Sequence, residues 1–169
     1  EMNSNKSCYK SPIKQFKGIE LAGLAQTQTI DPRSWIFWDK VELLEDNSPG
    51  MIQEAFLPGC KFTLFPAYTY AFGSDSPPSS KFLLHFGKNW EKNLKSDKIP
   101  VLLIPGAGDN AHRAFADPSY GIPGLNKNTA LAQYLDDAGF PVFAITFAHN
   151  QGDNFIQSEV ISNAIKRIR

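Results

Sequence analysis

Between Val101 and Asp109 the chain reads Val-Leu-Leu-Ile-Pro-Gly-Ala-Gly-Asp, and no other stretch narrows its possible folds so far. Four apolar residues in a row suit a strand buried on both faces, as in a parallel sheet covered by helices. The Pro-Gly-Ala-Gly turn that follows carries no bulky or polar side chain. Its amide N–H groups can therefore be approached closely by a ligand oxygen. The junction reads as a buried strand ending in a loop built for backbone chemistry.

The pattern around this junction is strand, helix, strand, helix. Val101–Ile104 is followed by a long excursion over 109–128 containing Pro118, Gly121, Pro123 and Gly124. Thr129–Ala138 is predicted as a helix, with Leu131, Tyr134, Leu135 and Ala138 on its apolar face and Gly139 at the C-terminal cap. Pro141–Phe147 reads as a second buried strand. The last helix, near 154–169, is predicted to start near Asp153 or Asn154, with Asn154 and Gln157 at the spacing of a capping box. Its apolar stripe is Ile156, Val160, Ile161, Ala164, Ile165 and Ile168. Such a βαβα unit over 99–169 implies an α/β fold, a right-handed crossover and a predominantly parallel sheet.

Residues 1–34 are a polar lead-in. Residues 35–98 form an aromatic-rich β region, with strand-like Phe62–Phe65, Tyr68–Phe72 and Lys81–Phe86. A loop over 73–80 and a polar connection over Asn89–Lys98 complete it. No internal repeat is visible.

Lys plus Arg and Asp plus Glu both number 17, so charge gives no reason to expect nucleic acid or an anionic membrane. No apolar run approaches the roughly 20 residues of a membrane-spanning helix, so no integral membrane segment is expected. Residues 1–20 lack the apolar middle of a signal peptide, although Glu1 precedes Met2 and leaves open a leader that was removed or never sampled. A soluble protein is expected, with secretion open. Cys8 and Cys60 fit no metal-ligand spacing. They are read as free thiols or as one disulfide, and no metal or cofactor is expected.

Two chemistries place glycines at the carboxyl end of a first parallel strand. In dinucleotide binding, G-x-G-x-x-G/A leads directly into a helix, and Gly106, Gly108 and Ala111 match that spacing. Against it stand Pro105, the lack of an immediate helix after Ala111, and Phe147-Ala148-His149-Asn150 where a ribose-binding acid belongs. In acyl transfer, backbone N–H groups of such a loop form part of an oxyanion hole.

Residues 99–169 resemble the α/β-hydrolase superfamily, in particular the strand and loop of fungal lipase B and of bacterial class 2 lipases. The likeness runs from Val101–Gly108 through the helix at 129–138 and the Gly139-Phe140-Pro141-Val142-Phe143 re-entry to the final amphipathic helix. It implies that the Ala107 N–H donates to the oxyanion, with Gly106 and Gly108 shaping the loop. Some relatives carry a hydroxyl side chain at that position, and Ala107 has none. Loss of one such donor typically costs about 100- to 1,000-fold in turnover.

A hydrolase of this fold needs G-x-S-x-G on a later strand, and none occurs. Gly73-Ser74-Asp75-Ser76 is the nearest match and lacks the final glycine. The chain is thus expected to be the N-terminal half of the fold, with nucleophile, acid and histidine in a missing C-terminal half or on a separate second chain. His149 is a candidate pocket residue, the alternative being a surface loop histidine. Asp109 is a second pocket candidate, and with Asn110 it is also expected to hold the turn. His112 is expected to bond within its loop, and His85 to lie on the polar face of a strand. His149 and Asp153 make too small a set for a metal site.

The aromatic region is read either as core packing or as an apolar acyl-binding wall. The expected function is carboxylic ester hydrolysis of a small-molecule ester or lipid substrate, through a serine acyl-enzyme. A non-catalytic binding module on a hydrolase half-sheet is the alternative, and a dinucleotide-binding protein a weaker one.

Overall fold

A computed structural model of the chain describes residues 24–30, 37–46, 71–74, 77–117, 130–149 and 152–169. Its centre is a pair of strands with no polar face, β3 (Lys81–Phe86) and β5 (Val142–Phe147). Around them lie β1 (Leu24–Ile30), β2 (Lys40–Asp46) and β4 (Val101–Leu103), in the order β1-β2-β3-β5-β4. β1, β2, β3 and β5 pair antiparallel in succession, and only β4 and β5 are parallel.

The α/β character holds, but the sheet is mixed and not predominantly parallel. The reason is physical. An unbroken apolar strand reports that both faces are covered, and says nothing about the direction of its neighbours. Lys81–Phe86 is as deeply buried as Val142–Phe147 and pairs with it antiparallel.

Register sorts the strand residues onto two faces. Val41, Leu43, Leu83, Leu103, Val142 and Ala144 face one way. They pack with Trp38, Phe72 and Ala132, the last from α2 (Leu131–Asp137). Leu44, Phe82, Leu84, Phe86, Phe143, Ile145 and Phe147 face the other way, against Val160 and Ala164 of α3 (Asn154–Ile168). Phe86 and Phe143 meet edge to face at 5.3 Å. Truncating such a buried aromatic typically costs about 3–5 kcal/mol.

α3 is joined to β2 by polar contacts as well. Arg167 Nη2 donates to Glu42 Oε1 at 2.8 Å, and Asn163 Nδ2 donates to Asp46 Oδ2. Lys40 Nζ reaches the same Glu42 oxygen at 2.6 Å.

Both helices start and stop for local reasons, with some departures from expectation. α3 is capped by Asp153, whose Oδ1 accepts the Phe155 N–H at 2.7 Å. The cap is therefore Asp153, not an Asn154–Gln157 box. Ile156, Val160 and Ala164 are buried as expected, whereas Ile165 is 40% exposed. α2 ends at Gly139, φ 87°, with the Gly139 N–H on the Asp136 carbonyl and the Phe140 N–H on the Leu135 carbonyl. That is a Schellman cap, which favours glycine at the left-handed position. The buried face of α2 is Ala132, Leu135 and Asp136; Leu131 and Tyr134 point outward. Asp136 turns inward because its carboxylate accepts the Asn89 N–H and the Asn89 side-chain amide. Those bonds anchor α1 (Trp90–Asn93), a short helix inside the predicted polar connection.

Ala71 and Phe72 are helical, not strand. β1 lies within the predicted lead-in and belongs to the sheet. Cys8, Cys60, Phe62–Phe65, Tyr68–Tyr70, Asp75-Ser76 and the excursion over 118–128 lie outside the described residues. Among the described residues no helix is long and apolar enough to cross a membrane.

Candidate functional site

The glycine turn lies at the carboxyl end of β4, where open α/β sheets bind their ligands. The Asp109 N–H donates to the Gly106 carbonyl at 3.2 Å, and Gly108 has φ 77° at the third position of this four-residue turn. This is a type II turn, whose third residue takes φ of about +80° and so favours glycine. Gly106 has no such need. A Cβ placed there meets nothing within 4 Å.

Beyond the turn the backbone is pinned at every step. Asp109 Oδ1 accepts the Asn110 N–H at 2.8 Å and pairs with Arg113 Nε at 3.1 Å. Asn110 Oδ1 accepts the Arg113 N–H at 2.9 Å. Ala114 N–H donates to the Asn110 carbonyl, and Asp117 N–H reaches back five residues to the His112 carbonyl at 2.7 Å. Residues His112–Ala116 are accordingly a π-helical turn. Helical backbone thus follows Ala111 at once, contrary to expectation, because Asn110 supplies the bond that starts it. That feature no longer separates a dinucleotide loop from an oxyanion loop.

The Ala111 N–H donates to Thr146 Oγ1 at 3.1 Å, and Thr146 Oγ1 lies 2.9 Å from His85 Nε2. The N–H groups of Asp109, Asn110, Ala111, Arg113 and Ala114 are all engaged. Those of Gly106, Ala107 and Gly108 meet no acceptor among the described residues, and Gly106 and Ala107 are exposed. A short row of free donors thus stands on a rigid base.

The histidines fall in different places from those their sequence positions suggest. His85 is fully buried, not on a polar strand face, because helices cover both sides of the sheet. Burial, helped by the neighbouring His112, lowers its pKa to about 3, so the ring is neutral at ordinary pH. His112 is also lowered by burial, against a smaller opposing pull from Asp117.

His149 is buried too, not a surface loop residue, with Nε2 3.1 Å from the Pro77 carbonyl. It lines a small hollow with Ser79, Asp153 and Gln157, and none of residues 105–110 lines that hollow. Of the predicted site residues, Gly106, Ala107, Gly108 and Asp109 are therefore brought together, with Asp109 holding the turn. His149 is placed in a separate hollow.

Sequence reading gave Thr146 no role and set His85 on a polar strand face. Each interrupts an apolar run, Phe82–Phe86 in β3 and Val142–Phe147 in β5. Among the described residues no three His, Cys, Asp or Glu side chains gather as metal ligands would. No protein-family model, curated protein or solved structure matches the chain.

Proposed function

We propose that the Pro105–Asp109 loop is the oxyanion-binding loop of a carboxylic ester hydrolase acting through a serine acyl-enzyme. The observation that carries this reading is the row of free amide donors at Gly106, Ala107 and Gly108, at the carboxyl end of a parallel strand. Free N–H groups on a pre-set turn suit a developing negative charge, because they need no reorganisation when it forms. Gly106 adds support, since no contact among the described residues asks for glycine there and a close-approaching ligand would.

In this reading a serine oxygen attacks the ester carbonyl, whose oxygen becomes the oxyanion. The alcohol then leaves with a proton, and water releases the acid from the acyl-enzyme. Serine, acid and histidine are contributed by residues outside 1–169, and Ala107 offers its backbone N–H alone. The substrate is a small-molecule ester or a lipid.

Ala107→Pro is a clean test because Ala107 is the second residue of a type II turn, where proline is favoured. The substitution deletes the N–H and leaves the turn intact. Hydrolysis of p-nitrophenyl butyrate by the whole gene product should fall about 100- to 1,000-fold. Thermal stability should hold or rise slightly, by about 0.4–1 kcal/mol. A folded Ala107→Pro protein with normal turnover would remove the loop from the reaction.

A further inference from the structure

We propose that Thr146 is a positioning residue for the glycine turn: its hydroxyl, with His85 behind it, ties Ala111 to the sheet and so fixes where Gly106, Ala107 and Gly108 present their N–H groups. The functional half of this inference rests on the ester-hydrolase reading. The tether itself rests on geometry.

Three separate parts of the chain meet at one oxygen. Thr146 comes from β5, His85 from β3 and Ala111 from the loop after β4. Thr146 pairs with Leu83 and His85 with Ala144, so both side chains lie on the face that packs against Ala111. Thr146 and His85 are 1% and 0% exposed. A hydroxyl in such a place is costly unless bonded, and removing it leaves the buried Ala111 N–H without this acceptor.

The bond to Ala111 has reach because the next residues back are locked. Asp109 and Asn110 tie themselves to Arg113, so Asp109 through Ala114 moves as a unit. Asp109 in turn closes the type II turn on Gly106. Fixing Ala111 therefore fixes the turn. Trp38 packs on the imidazole at 5.1 Å and confines its ring. Because burial keeps His85 neutral at ordinary pH, the Thr146–His85 contact stays a neutral hydrogen bond there.

The test is amide NMR on the whole gene product, comparing wild type with Thr146→Val and Thr146→Ser. Hydrogen exchange at Ala111 should rise about three- to tenfold in Thr146→Val, the range expected for one buried hydrogen bond, and return in Thr146→Ser. Sodium butyrate, a carboxylate probe, should shift the Ala107 and Gly108 amides in wild type and bind about three- to tenfold more weakly to Thr146→Val. Should Thr146→Val fail to fold, Ala111→Pro removes the same bond from the other side, since Ala111 already has φ −57°. Equal butyrate affinity in wild type and a folded tether variant would overturn the positioning role. A wild type whose turn amides ignore butyrate would instead overturn the ester-hydrolase reading.

Discussion

Two loops leave the same end of the parallel pair, and they differ in what their polar groups do. The described residues of the loop after β5 use their polar groups internally. His149 Nε2 faces the Pro77 carbonyl, the His149 carbonyl accepts from Gly152 N–H and Gln157 Nε2, and Asp153 caps α3. The loop after β4 is bonded just as tightly from Asp109 to Asp117, yet leaves three consecutive N–H groups without an acceptor among the described residues. A place at the carboxyl end of a strand does not make a binding site. In the proposed reading, donors held in place and left open do.

The largest expected effect that probes this contrast is acid sensitivity, because the β4 loop leans on a buried neutral histidine. The His85 pKa is about 3 in the fold and near the ordinary value of 6.5 when unfolded. Between those values the unfolded chain takes up a proton that the folded chain does not. Stability should thus be full above about pH 6.5 and fall by about 1.4 kcal/mol per pH unit below it. His112, also lowered, acts in the same direction. Asp136 and Glu159 are raised by burial and work the other way at lower pH. Urea titrations from pH 7 to 5 isolate the histidine part, and a flat profile there would break the picture of a neutral buried support.

A smaller effect separates the two loops directly. Gly108→Ala forces a side chain into φ 77° and should cost about 1–3 kcal/mol in urea unfolding. A cost under half of that would mean the type II turn relaxes easily and does not hold its N–H groups in place. The smallest effect belongs to the β5 loop. Asp153→Ala should cost about 1 kcal/mol, the usual worth of a helix cap, and leave butyrate binding unchanged. Loss of binding in that variant would show that the two loops act as one site.

Much of the fold is legible wherever one residue type answers one local demand. Gly139 marks the end of α2, and the Ile156, Val160 and Ala164 stripe marks the buried side of α3, because cap geometry and helical period are set within a few residues. The glycine turn is legible for the same reason. Strand direction is not, since Lys81–Phe86 and Val142–Phe147 are enclosed alike whichever way their partners run. His85 misleads because alternation along a strand signals an open face only when no helix covers it. Thr146 is silent in sequence: its partners come from two distant segments, and only the register of β3 on β5 brings them to one oxygen. Asp153 is one of the two helix starts the sequence offers, and local propensity alone does not choose between it and Asn154.

The sheet order carries a consequence for how the chain can be made. β5, which sits between β3 and β4, is translated after both of them. While the ribosome is still working through residues 104–141, β3 lacks its β5 neighbour, and the apolar sides of Phe82, Leu84 and Phe86 lack the Phe143, Ile145 and Phe147 that later cover them. At about 5–20 residues per second that interval lasts several seconds. Nascent chains of this protein therefore pass through a period in which this part of the sheet is the most open to wrong pairing, and it closes only when β5 slides in.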